Sequence, residues 1–191
     1  MKEKQAKKED RRTQVTKQLL RASLIELMDK KPIEKISITE LCNKAGINRG
    51  TFYLHYDIPY DILTEIGQEY ADIMAKEILA ELEQNNPKPD FTVMINEKNL
   101  NDHTLTLILD DKKTAGIILD RLIPAVGEYT IPRLMKNHNY TEVQAQLVNG
   151  FVFSGCLSAY CYYQNVHPPI QQMQEIKAAL NNAIYHGIEL L

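Results

Sequence analysis

Residues 36–56 read ISITELCNKAGINRGTFYLHY, and the stop and start signals packed into this stretch decide the fold. Ser37-Ile38-Thr39-Glu40 is a capping box, in which the serine oxygen accepts from the amide of residue 40 and the glutamate reaches back to the serine amide. The helix that starts there lasts about two turns, Ile38 to Ala45, because Gly46 supplies the left-handed residue that commonly ends one. Asn48 stands where an N-cap belongs, and a second short helix follows from Arg49 to about Tyr56. Two short helices joined by Gly46-Ile47-Asn48 have the dimensions of a helix-turn-helix, whose second helix enters the DNA major groove. The motif needs a small residue, Cys42, where the helices cross, and a glycine four positions later. Leu41, Ala45, Ile47 and Phe52 fill its core. An αα-corner of any helical protein meets part of these requirements, so the motif needs support from the rest of the chain.

Upstream, residues 1–12 form a charged, basic arm with nothing to bury, expected to be flexible. The first helix places Leu20, Ser23, Leu24, Leu27 and Met28 on one stripe. It ends before Lys31-Pro32, because the residue before proline is pushed out of the α region. Downstream, Asp57-Ile58-Pro59 opens a long helix from Tyr60 to about Glu83, with Ile62, Ile66, Tyr70, Ile73 and Ile78 among its apolar positions. Asn85-Asn86-Pro87-Lys88-Pro89 breaks it. The stretch 104–109, TLTLIL, alternates briefly as a strand does, and only its surroundings favour a helix. Lys113 to Met135 reads as a helix interrupted or kinked at Pro124 and Pro132. Thr141 to Gln144 is a second capping box, opening a helix to about Gln164; Asn165 to Pro169 turns the chain, and Ile170 to Leu191 makes a last helix. The fold class is all-α, with the arm at 1–12, a helix-turn-helix domain at 13–58 and a larger helical domain at 59–191.

Composition narrows the function classes. With 44% hydrophobic and 25% charged residues over 191 positions, the chain folds around a core. No apolar run approaches the roughly 20 residues of a membrane span, and the charged N-terminus has no secretory apolar segment behind it. Cys42, Cys156 and Cys161 match no zinc ribbon or CxxC spacing, so reduced thiols in a cytoplasmic protein are the economical reading. The five histidines show no metal-ligand spacing either. No P-loop, GxSxG or HExxH is present, so neither catalysis, a metal nor a cofactor is expected. Charge is uneven: up to Tyr60 there are 13 Lys and Arg against 8 Asp and Glu, and from Asp61 onward 9 against 17. A basic N-terminal third on an acidic remainder suits a head that faces a polyanion.

ISITELCNKAGINRGTFYLHY resembles the DNA-binding segment of the TetR (also called TetR/AcrR) family of transcriptional regulators. The resemblance covers about residues 13 to 65 and is most specific over AGINRGTFYLHY. It implies a three-helix DNA-binding head, a helical ligand-binding and dimerisation body, and a homodimer on a palindromic double-stranded operator. On this chain the recognition helix then exposes Asn48, Arg49, Gly50, Thr51, Tyr53, Leu54 and His55. Arg49 suits guanine, whose O6 and N7 match its paired donors, and Thr51 suits a base or a phosphate. Gly50 lets the backbone approach. Tyr53 and His55 are expected on phosphates, with packing against the first and fourth helices as the alternative; Lys17, Thr39 and Lys44 are further phosphate candidates. Many members open the fourth helix with a lysine where this chain has Pro59, which supplies no charge. Arg11 and Arg12 offer a compensation through the minor groove, or else belong to a solvated tail.

In the C-terminal half, Gly150, Ser154 and Ser158 recur at helical spacing, flanked by Leu147, Phe151 and Tyr162, and the last helix adds Met173, Ile176, Leu180, Ile184 and Leu191. A four-helix bundle between two subunits would use both helices, and packing within one chain must account for part of the stripe. An effector pocket, for an unknown small molecule, is expected among Tyr70, Met74, Phe91, His103, Leu122, Tyr129, Gln146 and Phe153, with Met94, Leu105 and Ile118. The reading is a ligand-responsive repressor. Its alternatives are a regulator under a protein partner's control or an activator, and, in a third class, a small helical enzyme.

Overall fold

Side-chain caps set off two short helices after a long first one. In the computed structural model, which describes residues 2–84, 90–166, 169 and 172–189, α1 spans Lys2–Met28, and a 3₁₀ turn at Ile33–Lys35 leads to α2, Ile38–Ala45. Ser37 caps α2 by accepting from the Glu40 amide at 3.2 Å. The reciprocal half of the expected box is diverted, because the Glu40 carboxylate takes a hydrogen bond from Lys31 Nζ at 2.6 Å. Gly46, at φ 66° and ψ 31°, ends the helix in the left-handed region. Asn48 caps α3, Arg49–Tyr53, by accepting from the Gly50 amide at 2.7 Å. This helix is shorter than expected, and the chain turns through Leu54 to Tyr56 instead of continuing it. α4, Pro59–Leu82, starts with proline at its first position, where a missing amide costs nothing. Asp61 Oδ2 accepts there from the amides of Asp57 and Ile58, at 2.8 and 2.9 Å.

Residues 2–12 form the start of α1. KEKQAKKEDRR consists mostly of strong helix formers, and that propensity extends the amphipathic helix backward without any apolar stripe.

The chain divides into two compact units, Met1–Ile66 and Gly67–Leu191, with the division inside α4. The first unit is built around Leu20, Leu24, Leu41, Phe52, Ile62 and Leu63, all with no exposed surface. The second comprises the rest of α4, α5 (Glu97–Leu100), α6 (His103–Asp110), α7 (Lys112–His138), α8 (Glu142–Val166) and α9 (Met173–Glu189). TLTLIL lies within α6 as a helix, capped by Asp102, whose carboxylate accepts from the Leu105 amide at 3.0 Å. α7 carries Pro124 and Pro132 inside one continuous helix. Beside the first proline, Asn149 of α8 donates to the Ile123 carbonyl at 3.1 Å, and Thr130 donates to Asn149 at 2.5 Å. The box at 141–144 is complete: Thr141 Oγ1 accepts from the Gln144 amide and Gln144 Oε1 from the Thr141 amide, at 3.3 and 2.9 Å. The expected break at 85–89 lies outside the described residues, as does most of the turn before α9.

Candidate nucleic-acid interface

Phe52, fully buried, anchors α3 to the head and thereby fixes which side chains face outward. Its ring meets Tyr53 edge-on at 5.6 Å and Tyr56 at 6.0 Å. Asn48, Arg49 and Gly50 are exposed, Tyr53 is 49% exposed and Leu54 78%, while Thr51 and His55 are half-buried. Arg49 Nη2 donates to the Tyr53 hydroxyl at 3.3 Å one helical turn away, so the guanidinium and the phenol form one outward-facing pair. That pairing holds the fork of Arg49 in a defined direction without neutralising it. The His55 ring lies 6.4 Å from that of its chain neighbour Tyr56. Beneath the motif, burial pushes the Cys42 thiol up, and the nearby charge of Arg49 partly offsets this.

The lysines are placed differently. Lys17 Nζ lies 2.8 Å from Glu65 Oε2 and over the ring of Tyr56 at 5.3 Å. Burial pushes Glu65 up, but hydrogen bonds from Lys17 and Tyr56, with the charges of Lys17 and Arg21, outweigh it and hold the carboxyl below the usual carboxylate range. Glu65 thus links α1, the end of the recognition segment and α4, a role with no local sequence signal. Lys44 is paired with Glu26, and Lys31 with Glu40. Thr39 is exposed on the first turn of α2, and Arg11 and Arg12 are exposed on α1.

In the second unit the expected pocket residues are placed as follows. Met74, Leu122 and Phe153 are buried in the core. Tyr70 donates to Asp102 at 2.7 Å, and Tyr129 donates to the Leu82 carbonyl at 2.7 Å. Phe91 and Phe153 do meet, at 6.3 Å, and Tyr185 joins them at 5.6 Å from Phe91. His103 and Gln146 are exposed on separate helices. Gln146 lines a groove of about 480 Å³ between α7 and α8, with Ile123, Gly127, Ile131 and Asn149.

The α8 stripe is exposed. Val143, Leu147, Phe151 and Tyr162 are 64, 69, 79 and 71% accessible, with Ser158 exposed and Gly150 and Ser154 half-buried along the same row. On α9, Met173 is buried and Ile176, Leu180 and Ile184 are half-buried, so these side chains turn largely inward. No helix among the described residues is long and apolar enough to cross a membrane.

No protein-family model matches the sequence, and no curated protein matches it. Solved structures do. The transcriptional regulator FadR from Bacillus subtilis, solved in complex with stearoyl-CoA, superposes with a TM-score of 0.64 at 11% identity over 87% of this chain and 96% of its own. FadR from Bacillus halodurans gives 0.63 at 13% identity, over 88% and 94%. RolR in complex with resorcinol gives 0.58 at 15% identity, over 91% and 89%. The described residues, helical throughout their regular elements and with this capped pair of short helices near the N-terminus, share the fold of these regulator structures.

Proposed function

We propose that the chain is a sequence-specific DNA-binding repressor that binds a palindromic operator as a homodimer and releases it when a small molecule occupies its C-terminal domain. One observation carries the reading: Arg49 and Tyr53 stand paired and exposed on a short helix whose start, end and buried side are each fixed by a specific residue. A bidentate arginine suits guanine and a phenol suits a phosphate, so the pair can read and position together. The exposed stripe of α8 supports dimerisation. Its large apolar side chains recur along one helix and stay well exposed, as side chains at a protein contact do before the partner arrives. A ligand-responsive role is supported by the fold shared with FadR and RolR, each solved with a small molecule bound.

The mechanism is one of spacing. Two recognition helices engage successive major grooves only when about 34–36 Å apart, or a multiple of that. A ligand that favours another separation weakens operator binding, and operator weakens ligand binding by the same factor.

The test is a gel shift with the DNA flanking the gene, using the full-length protein. Specific retention is expected, and Arg49→Ala should weaken it by about 1–3 kcal/mol, roughly five- to 150-fold. Retention unchanged in both Arg49→Ala and Tyr53→Ala would remove the site assignment. Phe151→Glu, read by sedimentation, should give monomers with correspondingly poor retention.

A further inference from the structure

We infer that Leu54 reads the C5-methyl group of a thymine in each half-site, through a slot that Gly50 leaves open on the recognition helix. The inference rests on the DNA-binding reading above and adds a base preference to it.

Among the described residues of the first unit Leu54 is the most exposed large apolar side chain, at 78%, and it follows Tyr53 of the Arg49–Tyr53 pair in the chain. It is the C-cap of α3, at φ −73° and ψ −16°, about one turn beyond the residue four positions earlier. That residue is Gly50. With no Cβ there, the turn in front of Leu54 is bare backbone. A Cβ built at Gly50 would lie 3.3 Å from Asn48 Oδ1, so this position is tied to the cap that starts the helix. Two rows therefore run side by side: Arg49 to Tyr53, polar and charged, and Gly50 to Leu54, a gap backed by a branched apolar side chain.

Charge sharpens the choice of occupant. Lys17, Lys31 and Lys44 are each held by a carboxylate, whereas Arg49 rests on a neutral phenol. The reading face thus carries a guanidinium, a phenol and a leucine, a set that fits a duplex groove better than an acidic peptide. In the major groove the apolar feature of an unmodified base pair is the thymine methyl. Arg49 and Leu54 are five residues apart, about 7.5 Å along the helix. At about 3.4 Å per base pair, that places the thymine about two pairs from the guanine read by Arg49.

The experiment selects duplexes from a random pool with the full-length protein, then replaces each thymine of the selected half-site by deoxyuridine, which removes the methyl and keeps the pairing. One thymine, within about three pairs of a guanine, should weaken wild-type binding about three- to tenfold on replacement. Leu54→Ala should bind both duplexes alike, and Leu54→Met should retain the sensitivity. Wild-type binding that tolerates deoxyuridine everywhere, or a Leu54→Ala protein as sensitive as wild type, overturns the inference and leaves DNA binding standing. Such a result would mark Leu54 as a protein contact instead. Failure to enrich any duplex overturns the DNA-binding reading and this inference with it.

Discussion

The two units combine local caps and long-range hydrogen bonds in different proportions. The first is partitioned by local caps: Ser37, Gly46, Asn48 and Asp61 each act within four residues of themselves. The second carries side-chain caps too, at Asp102, Asp111 and Thr141, and adds to them a set of hydrogen bonds between residues far apart in the sequence. Tyr70 reaches Asp102, Tyr160 donates to the Asn99 carbonyl at 2.7 Å, and Asn181 accepts from the Phe91 amide at 3.0 Å. Helices as short as α2 and α3 are unstable alone, so a small core and exact caps must hold them together. Such a construction fixes a few side chains in one direction, as reading a base edge requires. Long helices instead draw their stability from extended faces, which leaves their local sequence less constrained.

The strongest way to break this contrast is to remove one large core ring from each unit. Phe52 and Phe153 are 0 and 1% exposed, and truncating either to alanine should cost about 3–5 kcal/mol. Phe52→Ala should also abolish DNA retention, because the ring that orients Tyr53 is gone, while most helical signal persists. Urea unfolding followed by circular dichroism, with a gel shift alongside, separates the outcomes. If both variants lose the same stability in one shared transition, the division into two units has no energetic meaning.

A second comparison uses pH. In the second unit, burial pushes Asp90 up, but hydrogen bonds from Lys177, Thr92 and Asn181 outweigh it and hold the carboxyl below the usual range. Glu65 in the first unit behaves alike. Both folded pKa values lie below the unfolded ones, about 3.9 for Asp and 4.3 for Glu. The stability each group adds is therefore present above those values and is lost as pH falls through the folded pKa. Asp90→Asn and Glu65→Gln should each cost about 1–3 kcal/mol at pH 7 and flatten the decline between about pH 4 and pH 2. A wild-type protein whose stability is level over that range would show that these hydrogen bonds carry no net charge preference.

The same contrast explains what the sequence discloses. Ser37, Gly46 and Asn48 are legible because a cap is a local rule, and the boundaries of α2 follow from them to the residue. TLTLIL is ambiguous locally, and Asp102 decides it by capping a helix. Pro124 and Pro132 suggest breaks, yet α7 runs through both, with Asn149 and Thr130 packed alongside; those partners lie on another helix or a turn away and leave no mark in the local pattern. Arg49 is predictable as an exposed side chain, whereas the capture of Lys17 by Glu65, 48 residues later, is a tertiary event. Apolar character marks Met74, Leu122 and Phe153 as buried, and core and cavity-lining positions share that character, so composition does not separate the two.

The smallest expected effects concern a conformation that both units share. Gly46 and Asn139 each end a helix in the left-handed region, at φ 66° and φ 55°. Nothing lies within 4 Å of a Cβ built at Gly46, so Gly46→Ala should cost only the backbone strain, about 1 kcal/mol. Gly46→Asn should cost less, because asparagine tolerates this region. At position 139 the reverse change trades two opposing quantities: glycine relieves the strain but loses more entropy on folding, so Asn139→Gly should stay within about 0.5 kcal/mol of neutral. The two sites should part in function. Strain at Gly46 falls between α2 and α3 and tilts the recognition helix, so Gly46→Ala should weaken DNA retention by more than its cost in stability, whereas Asn139→Ala, at the end of α7, should leave retention unchanged. Equal retention in both variants would mean that the turn between α2 and α3 has slack, and that the caps, more than the glycine, aim Arg49.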